Sequence, residues 1–87
     1  MLDDYLGKKV IIDFQSPYVC LGTLVKYDAE FFEVKNADFH DLRDTDTSRE
    51  NYIASSLVTG IKRNRRKVLV FRSDVVAITL FESFADI

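Results

Sequence analysis

Hydrophobic residues recur along this chain with two different periods, and the switches between them mark the elements. Asp3, Asp4, Tyr5 and Leu6 before Gly7 predict one short helical turn. Acids sit at its start, where the helix dipole favours them, and glycine can take the left-handed stop. A β-branched run follows, Val10-Ile11-Ile12-Asp13-Phe14, with Val10, Ile12 and Phe14 on one face of a strand. Gln15-Ser16-Pro17 reads as a turn, because proline fixes φ and ends the ladder. Val19, Leu21, Thr23 and Val25 alternate along a second strand of about ten residues. Gly22 lies inside that strand, where a missing Cβ marks a bend, a bulge or a close backbone approach. Lys26 to Glu30 form the next turn, and Phe31-Phe32-Glu33-Val34-Lys35 opens a third strand that runs to about His40.

The period then changes to that of a helix. Four aspartates between Asp38 and Asp46 predict a solvated loop. Thr47-Ser48-Arg49-Glu50 fits a capping box, with the Thr47 hydroxyl accepting from the Glu50 amide. Ile53, Ala54, Leu57, Val58 and Ile61 repeat at three- and four-residue steps, and Gly60 ends the run. The spacing predicts an amphipathic helix over 48–59, inserted between strands three and four. After a basic run come strand four, Val68 to Phe71, a tight corner at Arg72-Ser73-Asp74, and strand five, Val75 to Leu80. Phe81, Phe84 and Ile87 carry the apolar content into the tail.

A helical turn, five strands and one inserted helix in 87 residues make a single domain, 1–87. Short connections between antiparallel strands favour a strongly bent sheet or a small barrel. Such a sheet leaves strands four and five as long apolar edges, and pairing with a second copy is the natural cover.

Composition narrows the picture. With 47% hydrophobic and 30% charged residues the chain is an ordinary globular domain, and one cysteine excludes an internal disulfide. The acidic start lacks the basic residues and longer apolar run of a secretory signal, and no segment is long enough to span a bilayer. The expectation is a cytoplasmic protein with no membrane partner. The formal charge of −2 excludes a polycation coating nucleic acid along its whole length. The charge is uneven, however. Residues 1–61 hold six basic and eleven acidic side chains, and residues 62–87 hold six basic and three acidic. Five of those later basics are Lys62, Arg63, Arg65, Arg66 and Lys67.

Two segments carry a family resemblance. Leu6-Gly7-Lys8-Lys9-Val10 with Gly22-Thr23-Leu24-Val25-Lys26-Tyr27-Asp28 resembles the first motif of the Sm and Sm-like family. Val70-Phe71-Arg72-Ser73-Asp74-Val75-Val76-Ala77-Ile78 resembles the second, so the likeness spans roughly residues 2–80. The resemblance implies a mainly β fold, in which a short N-terminal helix caps a strongly bent, partly open five-stranded antiparallel barrel. It implies a ring of copies joined strand four to strand five, with RNA bound around a central pore. The inserted helix would then sit on one rim of the ring. Carried onto this chain, the family's RNA-contacting positions fall on Asp28, Phe32, Arg72 and Ser73. The chain departs from the pattern there. Glu30 occupies the base-stacking position and cannot stack, Phe32 replaces an asparagine that reads a base edge, and Ser73 replaces a glycine.

The remaining candidates each have two readings. The run 62–67 either attracts phosphates or forms a solvated start to strand four, partly paired with the aspartates of 38–46. Arg72 either meets a ligand or braces its corner through Asp28 or Asp74. Phe31 and Phe32 either fill the core or line a pore, or stack on a ligand, with one facing in and one facing out on a strand. The helix stripe packs on its own sheet, on a neighbouring copy, or against a docked protein. Asp38, His40 and Asp41 could together meet a divalent ion, but they offer too few soft or imidazole ligands for a zinc centre, and no metal is expected. No phosphate loop, nucleophile elbow or His–Cys pair is present, so neither catalysis nor a cofactor is expected. Two functions follow: an Sm-like ring that binds RNA weakly or with altered base preference, or a homo-oligomeric interaction module with no RNA role.

Overall fold

A computed structural model describes residues 1–84. Ile87, read as part of the apolar tail, lies outside the described residues. The strands are β1 (Lys9–Phe14), β2 (Tyr18–Tyr27), β3 (Phe31–Asp41), β4 (Arg65–Phe71) and β5 (Val75–Leu80), with one α-helix, α1 (Arg49–Thr59). A 3-10 turn, Leu2–Tyr5, precedes them, and Gly7 after it takes φ +75°. All pairings are antiparallel, in the order β4-β3-β2-β1-β5. The sheet is not closed, so β4 and β5 are its two edges.

Two cores lie on opposite faces of this sheet. Val10, Ile12, Cys20, Leu24, Phe32, Val34, Ala37 and Val70 form the first, joined by Val75, Ile78 and Leu80 from β5. One cluster drawing on all five strands requires a sheet strongly bent around it. Leu2 and Tyr5 of the N-terminal turn pack on the same cluster. The second core lies outside the bend, where Ile53 of α1 meets Ile11, Val19, Leu21 and Phe81. The side-chain alternation of a strand explains the division. Val10 and Ile12 face in, Ile11 faces out, and all three are buried because β1 is covered on both sides. Cys20, fully buried, has its thiol pushed up to about 12, by burial first and then by the charge of Asp38.

The bend has a local cause in β2 and β3. Leu21 pairs with Asp38 and Thr23 with Lys35, so one residue of β2, Gly22, lies opposite two of β3, Asn36 and Ala37. The extra residue gives a bulge at Asn36, which takes the left-handed φ of +50°. Gly22 lies opposite it. A Cβ there would meet Val34 Cγ1 at 2.6 Å, the Lys35 carbonyl oxygen at 3.0 Å and Ala37 Cα at 3.1 Å. Of the alternatives for this glycine, close backbone approach beside a bulge is what the structure shows.

Two expectations about the insert are corrected. Ser48, not Thr47, caps α1, its side chain accepting from the Asn51 amide at 3.1 Å. The buried helix face is Ile53 and Ser56, flanked by Arg49 and Tyr52, whereas Leu57 and Val58 are exposed. The insert packs on the outer face of its own sheet, against β1 and β2, one of the placements expected for its stripe. A third correction concerns Asp38. It lies in β3, as a strand to about His40 implies, but is buried instead of solvated, because the Asn36 bulge turns it toward α1.

Candidate nucleic-acid interface

The corner carried over from the family resemblance is built from Asp28, Phe32, Arg72 and Ser73. One Asp28 oxygen accepts from the Glu30 and Phe31 amides, both at 2.8 Å, closing the turn between β2 and β3. Those two amides hold its carboxyl below the usual carboxylate range. The Arg72 guanidinium lies over the Phe32 ring, 4.9 Å from its centroid, and donates to the Asp28 backbone carbonyl. Its own amide donates to the Glu30 carbonyl at 2.8 Å. Arg72 therefore braces the corner through the Asp28 carbonyl and an aromatic face, and not through the carboxylate of Asp28 or Asp74. Phe32 is in the inner core at 3% exposure, with the Arg72 guanidinium over its ring. Phe31 is the outward member of the pair and packs against Phe71, centroids 5.1 Å apart. Ser73 is exposed. This corner ties the β2–β3 turn to the β4–β5 corner, and three of its four groups are committed to that.

The basic run is placed differently. Lys62, Arg63, Arg65, Arg66 and Lys67 are all exposed, and the last three lie within β4, which begins three residues before the apolar run. The ladder extends because Lys35 pairs with Lys67 and Ala37 with Arg65. Asn64, the single uncharged residue in the run, docks it to β3. Its side-chain oxygen accepts from the Phe39 amide at 3.0 Å, and its side-chain nitrogen donates to the Phe39 carbonyl at 3.2 Å. The side chain thus occupies the hydrogen-bonding place of a strand residue. The same nitrogen reaches Asp38 at 3.3 Å, and the Tyr52 hydroxyl of α1 donates to the other Asp38 oxygen. His40 stacks on the Tyr52 ring at 4.4 Å. Burial pushes Asp38 upward, while the charges of His40 and Lys62 pull it back.

Two of the four aspartates of 38–46 are engaged by such contacts. Asp38 serves Tyr52 and Asn64, and Asp41 pairs with Arg43 at 2.8 Å. The other ion pair among the described residues joins Arg49 to Asp13. None of the five cations of the run is in an ion pair among the described residues. No three metal-ligating side chains gather there, and no helix is long and apolar enough to cross a membrane.

Sequence reasoning missed Asn36, Asn64 and Tyr52, which position the run without carrying charge. For Asn64 a signal existed, since a lone short amide among five cations marks a position with a backbone duty. Comparison with protein-family models, with curated proteins and with solved structures finds no match for this chain.

Proposed function

We propose that this chain is a self-assembling, Sm-like subunit that binds RNA mainly through phosphate contacts. The observation that carries the reading is the exposed basic run 62–67, docked by Asn64 and free of carboxylate partners among the described residues. Cations held on a strand and left unneutralised attract a polyanion, and the attraction falls steeply with salt. Base reading at Asp28, Phe32 and Arg72 contributes little in this proposal, because those groups already hold the corner together. Self-assembly is supported by the two edges. Leu69 and Phe71 on β4 and Val76 on β5 are exposed, and an apolar edge strand left uncovered is an aggregation hazard. Pairing of β4 with β5 of the next copy removes both edges.

Native mass spectrometry on protein purified without nuclease or high salt tests both halves. A closed multimer carrying nucleotide mass is the expected result. A monomer of 10.0 kDa overturns the assembly. A closed multimer at bare protein mass, with no RNA binding at low salt, favours a second reading. In that reading the chain is a homo-oligomeric module docking a protein on α1, a reading supported by the exposure of Leu57 and Val58.

A further inference from the structure

The strand register aligns cations that are far apart in the sequence. Lys9 pairs with Thr23, Thr23 with Lys35, and Lys35 with Lys67. Laterally paired residues share a face of the sheet, so these four form one row across β1, β2, β3 and β4. The face is the outer one, since Lys9 alternates with Val10 as Ile11 does. Lys9, Lys35 and Lys67 are exposed. Neighbouring strands lie about 4.8 Å apart, so the row is about 15 Å long at its Cα atoms. Arg63 joins it from the segment after α1, lining one shallow cleft with Lys9, Thr23, Asn36 and Ile61. Asn36 is there because of the bulge that bends β3.

This arrangement runs against ordinary sheet chemistry. Like charges directly opposite one another destabilise a sheet, and Lys35 faces Lys67 with no ion pair to either among the described residues. Carboxylates border the row without joining it: Glu33 lies two residues along β3, and Glu82 lines the neighbouring cleft with Lys8 and Lys9. A bound anion removes the repulsion. The row is flush with the sheet and offers no projecting helix or ribbon to enter a duplex groove. A flexible single strand can lie along such a face.

We infer that Lys9, Lys35, Lys67 and Arg63, with Thr23 and Asn36 between them, form a track for the phosphodiester backbone of a single-stranded nucleic acid across the outer face of the sheet. The inference rests on the nucleic-acid reading above and extends it to Lys9 and Lys35, which lie outside the basic run. The bound strand crosses β1 to β4 beside the C-terminal end of α1, away from the Arg72 corner.

The test is the affinity of the full chain for a labelled single-stranded RNA dodecamer between about 50 and about 200 mM salt. Wild type is compared with Lys9→Gln/Lys35→Gln and with Lys26→Gln, an exposed lysine off the row. Each phosphate contact to a single strand contributes about 0.7 to the logarithmic salt slope, so losing two lowers it by about 1.4. Over that fourfold range, the salt-induced loss of affinity is then about sevenfold smaller in the double variant than in wild type. Lys26→Gln keeps the wild-type slope. If wild type binds and the double variant keeps the wild-type slope, the track is wrong while the nucleic-acid reading stands. If wild type fails to bind at about 50 mM salt, the nucleic-acid reading itself falls. Equal affinity for a duplex of the same sequence overturns the single-strand assignment. Displacement of the RNA by polyglutamate at equal charge concentration overturns the choice of phosphodiester over an acidic peptide.

Discussion

Replacing Gly22 by alanine tests the bend on which the fold depends. The added methyl meets Val34 Cγ1 at 2.6 Å, the Lys35 carbonyl at 3.0 Å and Ala37 Cα at 3.1 Å. The first contact is closer than van der Waals packing allows, and the other two are to backbone in the bulged strand. Val34 is fully buried and cannot swing into solvent to make room. Two strands must move apart, and overpacking of this kind costs about 1–3 kcal/mol. In a domain of this size about 2 kcal/mol lowers Tm by about 8–16 °C. Thermal unfolding followed by far-UV circular dichroism, at one fixed protein concentration, reads the shift. Combining Gly22→Ala with Val34→Ala removes the nearest contact, so the double variant loses less than the sum of the singles. A Gly22→Ala protein that melts with wild type refutes the close approach and the bulge opposite it.

Three further outcomes follow from described contacts. Asn64→Ala removes two hydrogen bonds to the Phe39 backbone and one to Asp38, lowering stability by about 1–2 kcal/mol. Amide hydrogen exchange at Phe39 accelerates in that variant, and unchanged protection refutes the docking role. Ser48→Ala costs about 1 kcal/mol in urea unfolding while Thr47→Ala leaves the midpoint within error, because Ser48 caps the helix. Asp41 is held at about 2, below its ordinary 3.8, by the Arg43 side chain and then the Arg43 amide. The folded value is depressed, so its contribution to stability is full above about pH 4 and is lost as pH falls through about 2. Wild type and Asp41→Asn therefore differ by a constant amount at neutral pH and converge in acid, as paired denaturation curves at several pH values will read.

The strands were legible because apolar β-branched runs announce them, and the order of elements follows those runs closely. Less visible was anything that depended on a second element. β4 begins at Arg65 because Ala37 and Lys35 extend its ladder, and exposed edge positions carry arginine as readily as valine. Asp38 looked solvated beside other aspartates, and only the Asn36 bulge reveals which way it points. The helix stripe was misread for a related reason. Its buried face includes polar groups: Arg49 meets Asp13 and Tyr52 meets Asp38, both elsewhere in the chain, while Ser56 Oγ donates within the helix to the Tyr52 carbonyl at 3.1 Å. Periodicity counts apolar residues, so it rotated the stripe toward Leu57 and Val58. In the candidate interface, the cations of the run were evident from composition. The placement of Lys9 and Lys35 beside Lys67 depends on register across three strand pairs, which no local pattern encodes.

The unbroken Val10-Ile11-Ile12 of β1 makes the insert compulsory. In the chain's connectivity α1 is an excursion from an antiparallel pair, the kind of segment that a tight hairpin could replace. Joining β3 to β4 directly would keep the inner core whole. It would also bare Ile11, Val19 and Leu21 on the outer face, where Ile53 now covers them. The shortened chain would gain a sticky plane as well as two open edges, and self-association could proceed by stacking of sheets as readily as by extension of strands. The helix thus closes the outer face and leaves β4 and β5 as the unpaired edges of the sheet.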